Sequence, residues 1–313
     1  MLAEHLRNVP NDRRQRAALI AGDTVLTFAS LAARTDVLIE RWQVLAGLRV
    51  ALAVHDPVHL VPSVAALDAL RARAFLVGRR GPAELAELMA QFQWDAMVWN
   101  VEDPPPLGVA TSTSMGLRRD EGSVTILTSG TSGKPKAANH TWTTLAAPVR
   151  RDRAYADTRW FCAYPLTLYA GTQVLLQALL NWAPLVTSPS LDPGMVVRTM
   201  RETGVTHASG TPTFWRQLLL FAERDELRAC TLRQITMGGE PVTQGLLDQL
   251  ASLFPDTCLV HIYASTELGR LFSVSDGREG FPAEWLDQPI EQGIELRVVD
   301  GELLARSCHA MTG

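Results

Sequence analysis

Between Thr24 and Tyr263, short apolar runs rich in β-branched residues alternate with stretches whose apolar residues recur at helical spacing. This alternation constrains the fold more than any other feature. Residues 49–54, 74–77 and 96–99 read as strands. Residues 62–72 and 82–92 read as the helices between them, the second opened by Pro82 at a first-turn position. An earlier strand over 24–28 leads into a helix that Ser30 is expected to cap. Strand–helix–strand order implies parallel strands joined by helical crossovers. Residues 101–122 break the pattern, and Pro104-Pro105-Pro106 with Thr111-Ser112-Thr113-Ser114 reads as a surface connection. After Arg150 the alternation resumes, with strands over 160–164, 184–187, 205–209, 233–237 and 258–263. From Gly269 the character turns to β. Residues 294–299 and 302–306 flank Asp300-Gly301, a two-residue hairpin turn. The expected fold class is α/β, as two successive mostly parallel sheet subdomains (1–150 and 151–268) and a smaller β-rich subdomain (269–313).

The strand Val124-Thr125-Ile126-Leu127 runs into Thr128-Ser129-Gly130-Thr131-Ser132-Gly133-Lys134-Pro135-Lys136, which carries four hydroxyls, two glycines and two lysines. Glycine lets backbone N–H groups approach an anion, hydroxyls donate to phosphate oxygens, and lysine adds a compact positive charge. Of 29 basic residues, only Lys134 and Lys136 are lysine, so a flexible ammonium is retained in this one loop. A P-loop NTPase fails on spacing. Thr128 stands where that motif needs glycine, and Pro135 stands where it needs Ser or Thr and opposes direct entry into a helix. The reading is a phosphate loop that is not a helix N-terminus.

Composition narrows the partners. A net charge of −4 and a pI near 6.0 argue against a dedicated nucleic-acid binder. Cys162, Cys230, Cys258 and Cys308 form no CxxC pair, which points to a reducing, cytoplasmic setting without structural zinc. No signal peptide is read at the N-terminus. Residues 166–186 are the most hydrophobic region, but Gln173, Gln177 and Asn181 fall four apart on one face, as in a pocket-lining helix rather than a membrane span.

In open α/β sheets, ligands bind beyond the carboxyl ends of strands. Three polar segments occupy such ends: the phosphate loop, Gly238-Gly239-Glu240, and Tyr263-Ala264-Ser265-Thr266-Glu267. Two glycines leave a slot for a flat ring, Tyr263 offers a stacking face, Thr266 a donor, and Glu267 a ligand for Mg²⁺, which favours carboxylate with phosphate oxygens. Taken alone, Glu267 also fits a carboxylate meeting a helix dipole.

The three segments, with Gly301-Glu302-Leu303 downstream, resemble the motifs of the adenylate-forming superfamily: acyl- and aryl-CoA ligases, luciferases and peptide-synthetase adenylation domains. The resemblance runs from about Thr24 to Gly313 and implies the large domain of these enzymes, with a β-barrel-like third subdomain. It implies that Thr128 to Lys136 holds the β- and γ-phosphates of ATP, with Lys134 catalytic. Gly239, Glu240, His261 and Tyr263 would line the adenine site. Thr266 would meet the α-phosphate and the acyl carboxylate, and Glu267 would bind Mg²⁺. Tyr164, Tyr169, Thr211, Trp215, Gly238 and Ala264 would border the acid, although core packing equally explains Trp215 and Tyr164. The implied reaction activates a small carboxylic acid as an acyl-adenylate and passes it to coenzyme A or to the phosphopantetheine thiol of an acyl carrier protein. Aryl and medium-length aliphatic acids both fit, and the clustered aromatics incline the reading to aryl.

Departures stand beside the resemblance. Pro165-Leu166-Thr167-Leu168-Tyr169 replaces the family's Pro-Leu-Phe-His, Ala264 replaces a glycine, and Trp142 stands where a histidine is usual. No lysine follows Lys136, and no Thr-Gly-Asp motif follows the hairpin. The chain is therefore expected to be the large N-terminal domain of a longer enzyme. The alternative is a naturally shortened, non-catalytic nucleotide- or acyl-binding homologue.

Overall fold

The computed structural model describes residues 1–102, 122–128, 135–290, 293–307, 310 and 311. The N-terminal part contains α1 (Leu2–Arg7), β1 (Ala17–Ala21), β2 (Thr24–Thr27), α2 (Phe28–Arg41), β3 (Arg49–Leu52), α3 (Pro57–Ala69), β4 (Arg73–Leu76), α4 (Pro82–Phe92) and β5 (Ala96–Val98). Then come β6 (Ser123–Thr128), β7 (Lys136–Thr141), α5 (Trp142–Ala146), β8 (Trp160–Cys162), α6 (Tyr169–Leu179) and β9 (Leu185–Thr187). The remainder comprises α7 (Pro193–Glu202), β10 (His207–Gly210), α8 (Pro212–Phe221), α9 (Arg224–Arg228), β11 (Gln234–Gly238), α10 (Gln244–Leu253), β12 (Cys258–Ser265), β13 (Gly269–Val274), β14 (Glu295–Val299) and β15 (Glu302–Arg306).

Two sheets organise these elements. The first has the order β5-β3-β4-β6-β7, parallel except for β7. The second has the order β13-β12-β11-β10-β8-β9-β1-β2, parallel through its middle and closed at each edge by an antiparallel strand. Here the chain departs from strict succession. β1 and β2 precede the first sheet in sequence, yet β1 pairs with β9 in the second. Likewise β13, read as the start of a β-rich unit, completes the second sheet by pairing with β12. Beyond it, the described residues hold the β14–β15 hairpin and no closed barrel.

Between the sheets, α3 is apolar on nearly every side, which fits a helix covered all round. It packs on β4 of the first sheet and on β1 of the second. One continuous core, including Leu31, Val61, Ile126, Trp142 and Leu176, spans both sheets. A second core under α7, α8 and α10 contains Phe161, Trp215 and Ile235.

Local chemistry moves two helix starts away from the sequence expectation. The cap of α2 is Thr27, whose hydroxyl accepts from the Ser30 N–H at 3.1 Å, so Ser30 sits inside the first turn. α3 starts at Pro57 rather than Pro62, because the Asp56 carboxylate accepts from the Val58 N–H at 2.9 Å and Pro57 occupies the first turn. The Asp300-Gly301 hairpin appears as expected, with φ of 51° and 81° at its two turn residues.

Candidate active site

The carboxyl ends of β6, β11 and β12 meet at one cavity of about 540 Å³. Leu127 and Thr128 reach it from the first sheet, while Gly238, Gly239, Ala264, Ser265 and Thr266 reach it from the second. Because side chains alternate along a strand, Gln234, Thr236 and Gly238 of β11 line it together, as do Val260, Ile262 and Ala264 of β12. From Gln234 to Gly238 the cavity follows the strand for about 13 Å at the usual rise. The opposite wall is α6, through Tyr169, Gln173, Val174 and Gln177. That helix comes close because Gly171 has no side chain. A Cβ there would fall on the Pro165 carbonyl and lie 2.8 Å from the Leu166 Cα.

At the β6 end, Thr128 pairs with Lys136 across an antiparallel register. The segment from Thr128 to Lys136 therefore leads into a strand and not a helix, as Pro135 indicated. Its residues Ser129, Gly130, Thr131, Ser132, Gly133 and Lys134 lie outside the described residues. At the β11 end, Gly239 adopts φ +84°, a left-handed conformation, and nothing lies within 4 Å of where its Cβ would stand. Tyr164 donates its hydroxyl to the Gly238 carbonyl at 3.1 Å, which fixes the turn from below. Burial raises the Tyr164 hydroxyl well above its usual range and pushes that of Tyr169 up to about 12, so both remain neutral donors. Burial likewise holds the Cys162 thiol at about 12, so it is not a nucleophile near neutral pH.

The amide row along α6 and the turn after it has a definite task. Gln177 accepts from the Arg150 N–H at 3.1 Å and donates to the Arg150 carbonyl at 3.0 Å. Asn181 donates to that same carbonyl at 2.9 Å, and Gln173 donates to the Leu145 carbonyl at 2.9 Å. Together they fasten the segment after α5 along the cavity.

His140 is a residue that sequence reasoning passed over. Its Nε2 lies 2.6 Å from the Thr266 carbonyl oxygen, joining β7 of the first sheet to the turn after β12 of the second. A carbonyl only accepts, so Nε2 carries the proton. Burial lowers the His140 pKa, opposed in part by the Thr266 bond and the nearby Glu267 carboxylate, and keeps the ring neutral. The usual histidine position holds Trp142, which is buried as the first residue of α5. Nothing local in the sequence marks His140, because its partner is 126 positions away.

Several expected residues lie off the cavity wall. Trp215 is fully buried in the second core, edge-on to Phe214 at 5.4 Å. The Thr211 hydroxyl is the N-cap of α8 and accepts from the Phe214 N–H. Glu240 accepts from both the N–H and the hydroxyl of Thr213, at 3.0 and 2.6 Å, so its carboxylate anchors the Gly-Gly turn to the start of α8. Side-chain alternation puts His261 and Tyr263 on the face of β12 opposite the cavity. Tyr263 stacks one face on Phe272 at 5.2 Å and is 45% exposed. The His261 Nε2 is hidden from solvent with no hydrogen-bond partner among the described residues. Lys136 is exposed at the start of β7. Glu267 follows Thr266, and its carbonyl accepts from the Met311 N–H at 2.6 Å. Among the described residues, no three His, Cys, Asp or Glu side chains group as a metal site, and no helix is long and apolar enough to cross a membrane.

Known proteins share this fold. The family model for AMP-binding enzymes matches residues 46–313. The 2-succinylbenzoate–CoA ligase of Bacillus licheniformis is 25% identical over 287 residues, covering 80% of this chain and 58% of the ligase. The N-(5-amino-5-carboxypentanoyl)-L-cysteinyl-D-valine synthase of Amycolatopsis lactamdurans is 27% identical over 195 residues, 59% of this chain but only 5% of the synthase. Among solved structures, the anthranilate CoA ligase AuaEII in complex with anthranoyl-AMP superimposes over 99% of this chain and 69% of its own, with a TM-score of 0.80 and 18% identity. The AMPPNP-bound peptide synthetase FmoA3 gives the same TM-score over 99% of this chain and 38% of its own, at 17% identity. The chain thus spans little more than half the length of the ligase relative. The family match over most of its length, on a mixed α/β fold shared with adenylate-forming structures, leads to one conclusion: this chain belongs to the AMP-binding enzyme family of CoA ligases and adenylation domains.

Proposed function

We propose that the chain carries the acid- and nucleotide-binding site of an ATP-dependent acid–thiol ligase. The observation that carries this reading is the convergence of Thr128, Gly238-Gly239 and Ala264-Ser265-Thr266 on one cavity long enough for an acid. Two features fit a nucleotide. Gly239 leaves open space where any other side chain would project, and Tyr263 keeps an outer face exposed that can stack on a purine.

In this reading the acid lies between α6 and the β11–β12 face, with its carboxylate at Thr266. Being ionised near neutral pH, it needs no general base. It attacks the α-phosphorus of ATP, forming the acyl-adenylate and releasing pyrophosphate. A thiol of coenzyme A or of a carrier protein then attacks the acyl carbon, and AMP departs. The obstacle to the first step is repulsion between anions, so the site works by electrostatic stabilisation. The Thr266 hydroxyl donates to the α-phosphate, Lys134 and the loop amides meet the β- and γ-phosphates, and Glu267 offers a carboxylate for Mg²⁺. When bound, that ion would neutralise phosphate charge with a single protein carboxylate sufficing. The relatives named above, a succinylbenzoate ligase and an anthranilate ligase, support a small carboxylic acid as substrate.

Acid-dependent exchange of labelled pyrophosphate into ATP tests the assignment. Exchange with at least one acid, lost in Lys134→Ala and needing more Mg²⁺ in Glu267→Gln, supports it. Exchange that is indifferent to both substitutions refutes the roles given to these residues.

A further inference from the structure

Two arginines face the acid cavity, and each is aimed there by a separate device. Arg150 has its backbone N–H and carbonyl clamped by Gln177 and its carbonyl held again by Asn181. Three hydrogen bonds, two from α6 and one from the turn just after it, therefore fix the point from which this exposed side chain extends. Arg270 is turned by an irregularity in β13. Tyr263 pairs with Phe272 and Ala264 with Arg270, so Leu271 is an extra, unpaired residue. Without it, Arg270 and Ser273 would point to opposite faces of the sheet; with it, both line the cavity. The same two arginines also border an adjoining cleft of about 350 Å³ next to Trp285, so they stand on the partition between the two spaces.

The chemistry around them is one-sided. Among the described residues, no Asp or Glu side chain lines either space. Ser209, Gln234, Thr236 and Ser273 put hydroxyl and amide groups along the sheet side. A slot for a purely hydrocarbon acid has no use for the Arg150 guanidinium beside this polar wall. Guanidinium is weakly hydrated and suited to gripping a carboxylate through two N–H donors.

We infer that the acid carries a second anionic group, a carboxylate remote from the one that is activated, and that Arg150 is the specificity-determining residue that reads it. This rests on the adenylate reading above and narrows its substrate class. The phosphates of ATP are a competing source of negative charge for Arg150, so the test separates the two.

The probes are paired sulfamoyl-adenosine mimics of acyl-adenylates: hexanoyl against 5-carboxypentanoyl, and benzoyl against 4-carboxybenzoyl. Their dissociation constants are measured by calorimetry on the wild-type chain, Arg150→Ala and Arg150→Lys, with AMPPNP as a separate ligand. In at least one pair the carboxylate member should bind about tenfold or more tightly than its neutral partner, as a charge-assisted hydrogen bond provides. That ratio should collapse towards one in Arg150→Ala and recover in part in Arg150→Lys. Neutral members binding as tightly in both pairs, or a ratio unaffected by Arg150→Ala, overturns the inference while the adenylate reading stands. Loss of AMPPNP affinity in Arg150→Ala with the ratio intact reassigns the residue to phosphate and overturns it too. If the wild-type chain binds no mimic, both readings fall together.

Discussion

The imidazole of His140 donates from Nε2 to the carbonyl of Thr266 across 2.6 Å, and this bond ties the last strand of one sheet to the turn that closes the longest strand of the other. Thr144 lies 3.4 Å from the second ring nitrogen, so the ring is held from both sides. Its partner belongs to the turn assigned to the α-phosphate, which makes His140 a positioning residue for Thr266 and Glu267. His140→Phe keeps the ring volume and removes the bond. We expect a stability loss of about 1 kcal/mol, the net worth of one such bond. Pyrophosphate exchange should fall by more than that loss explains, chiefly in kcat, and His140→Gln should recover part of it. An exchange rate that tracks stability alone would limit His140 to a structural role.

Gly171 sets the distance between α6 and the segment before it. Gly171→Ala forces a Cβ onto the Pro165 carbonyl. The expected cost is about 1–3 kcal/mol, as for other overpacked sites, read as a lower urea midpoint with an unchanged slope. Because α6 forms one wall of the acid cavity, KM for the acid should rise as well.

Trp215 separates core packing from substrate contact. It has no exposed surface and its neighbours belong to the second core. Trp215→Ala should cost about 3–5 kcal/mol. Trp215→Phe should fold, and the ranking of acids in an exchange panel should not change. A reordered ranking would return this residue to the acid site.

Acid should weaken the fold through two buried histidines. Burial holds His5 and His207 at about 4, aided by the charges of Arg151 and Arg233 respectively. Their ordinary value is 6.5. Between 6.5 and about 4 the unfolded chain binds more protons than the folded one, so stability is fully present above 6.5 and declines as pH falls through that window. Asp157 is displaced in the same direction, below its ordinary 3.8 chiefly by its hydrogen bond to Arg16, so its loss as pH falls belongs to a lower window. Urea midpoints should fall steadily from pH 7 to pH 4.5, and His207→Gln should flatten that slope.

The sequence displayed what is local. The β-branched strands, Pro82 at the start of α4 and the Asp-Gly hairpin depend on residues within a few positions of one another, and each appears in the fold. The three strand ends were legible because polar residues abruptly follow apolar runs. What escaped is set by distant partners. β1 pairs with β9 more than 160 residues on, and β7 has a polar sequence that only its pairing with β6 makes a strand. Glu240 and Thr211 stand at motif positions, but their side chains serve the start of α8, which motif spacing does not display. The bulge at Leu271 that turns Arg270 inward leaves no mark in composition or periodicity.

The most direct test of the adenylate site is thermal unfolding of this chain with and without benzoyl- and hexanoyl-sulfamoyl-adenosine. At a hundred times its dissociation constant a bound mimic adds about 2.7 kcal/mol, a rise of several degrees for a protein of this size. The account predicts such a rise with at least one mimic, reduced in Gly239→Val, whose side chain would project into the space left beside the β11 turn. Unfolding temperatures that do not move with either mimic, or that rise equally in Gly239→Val, would contradict it.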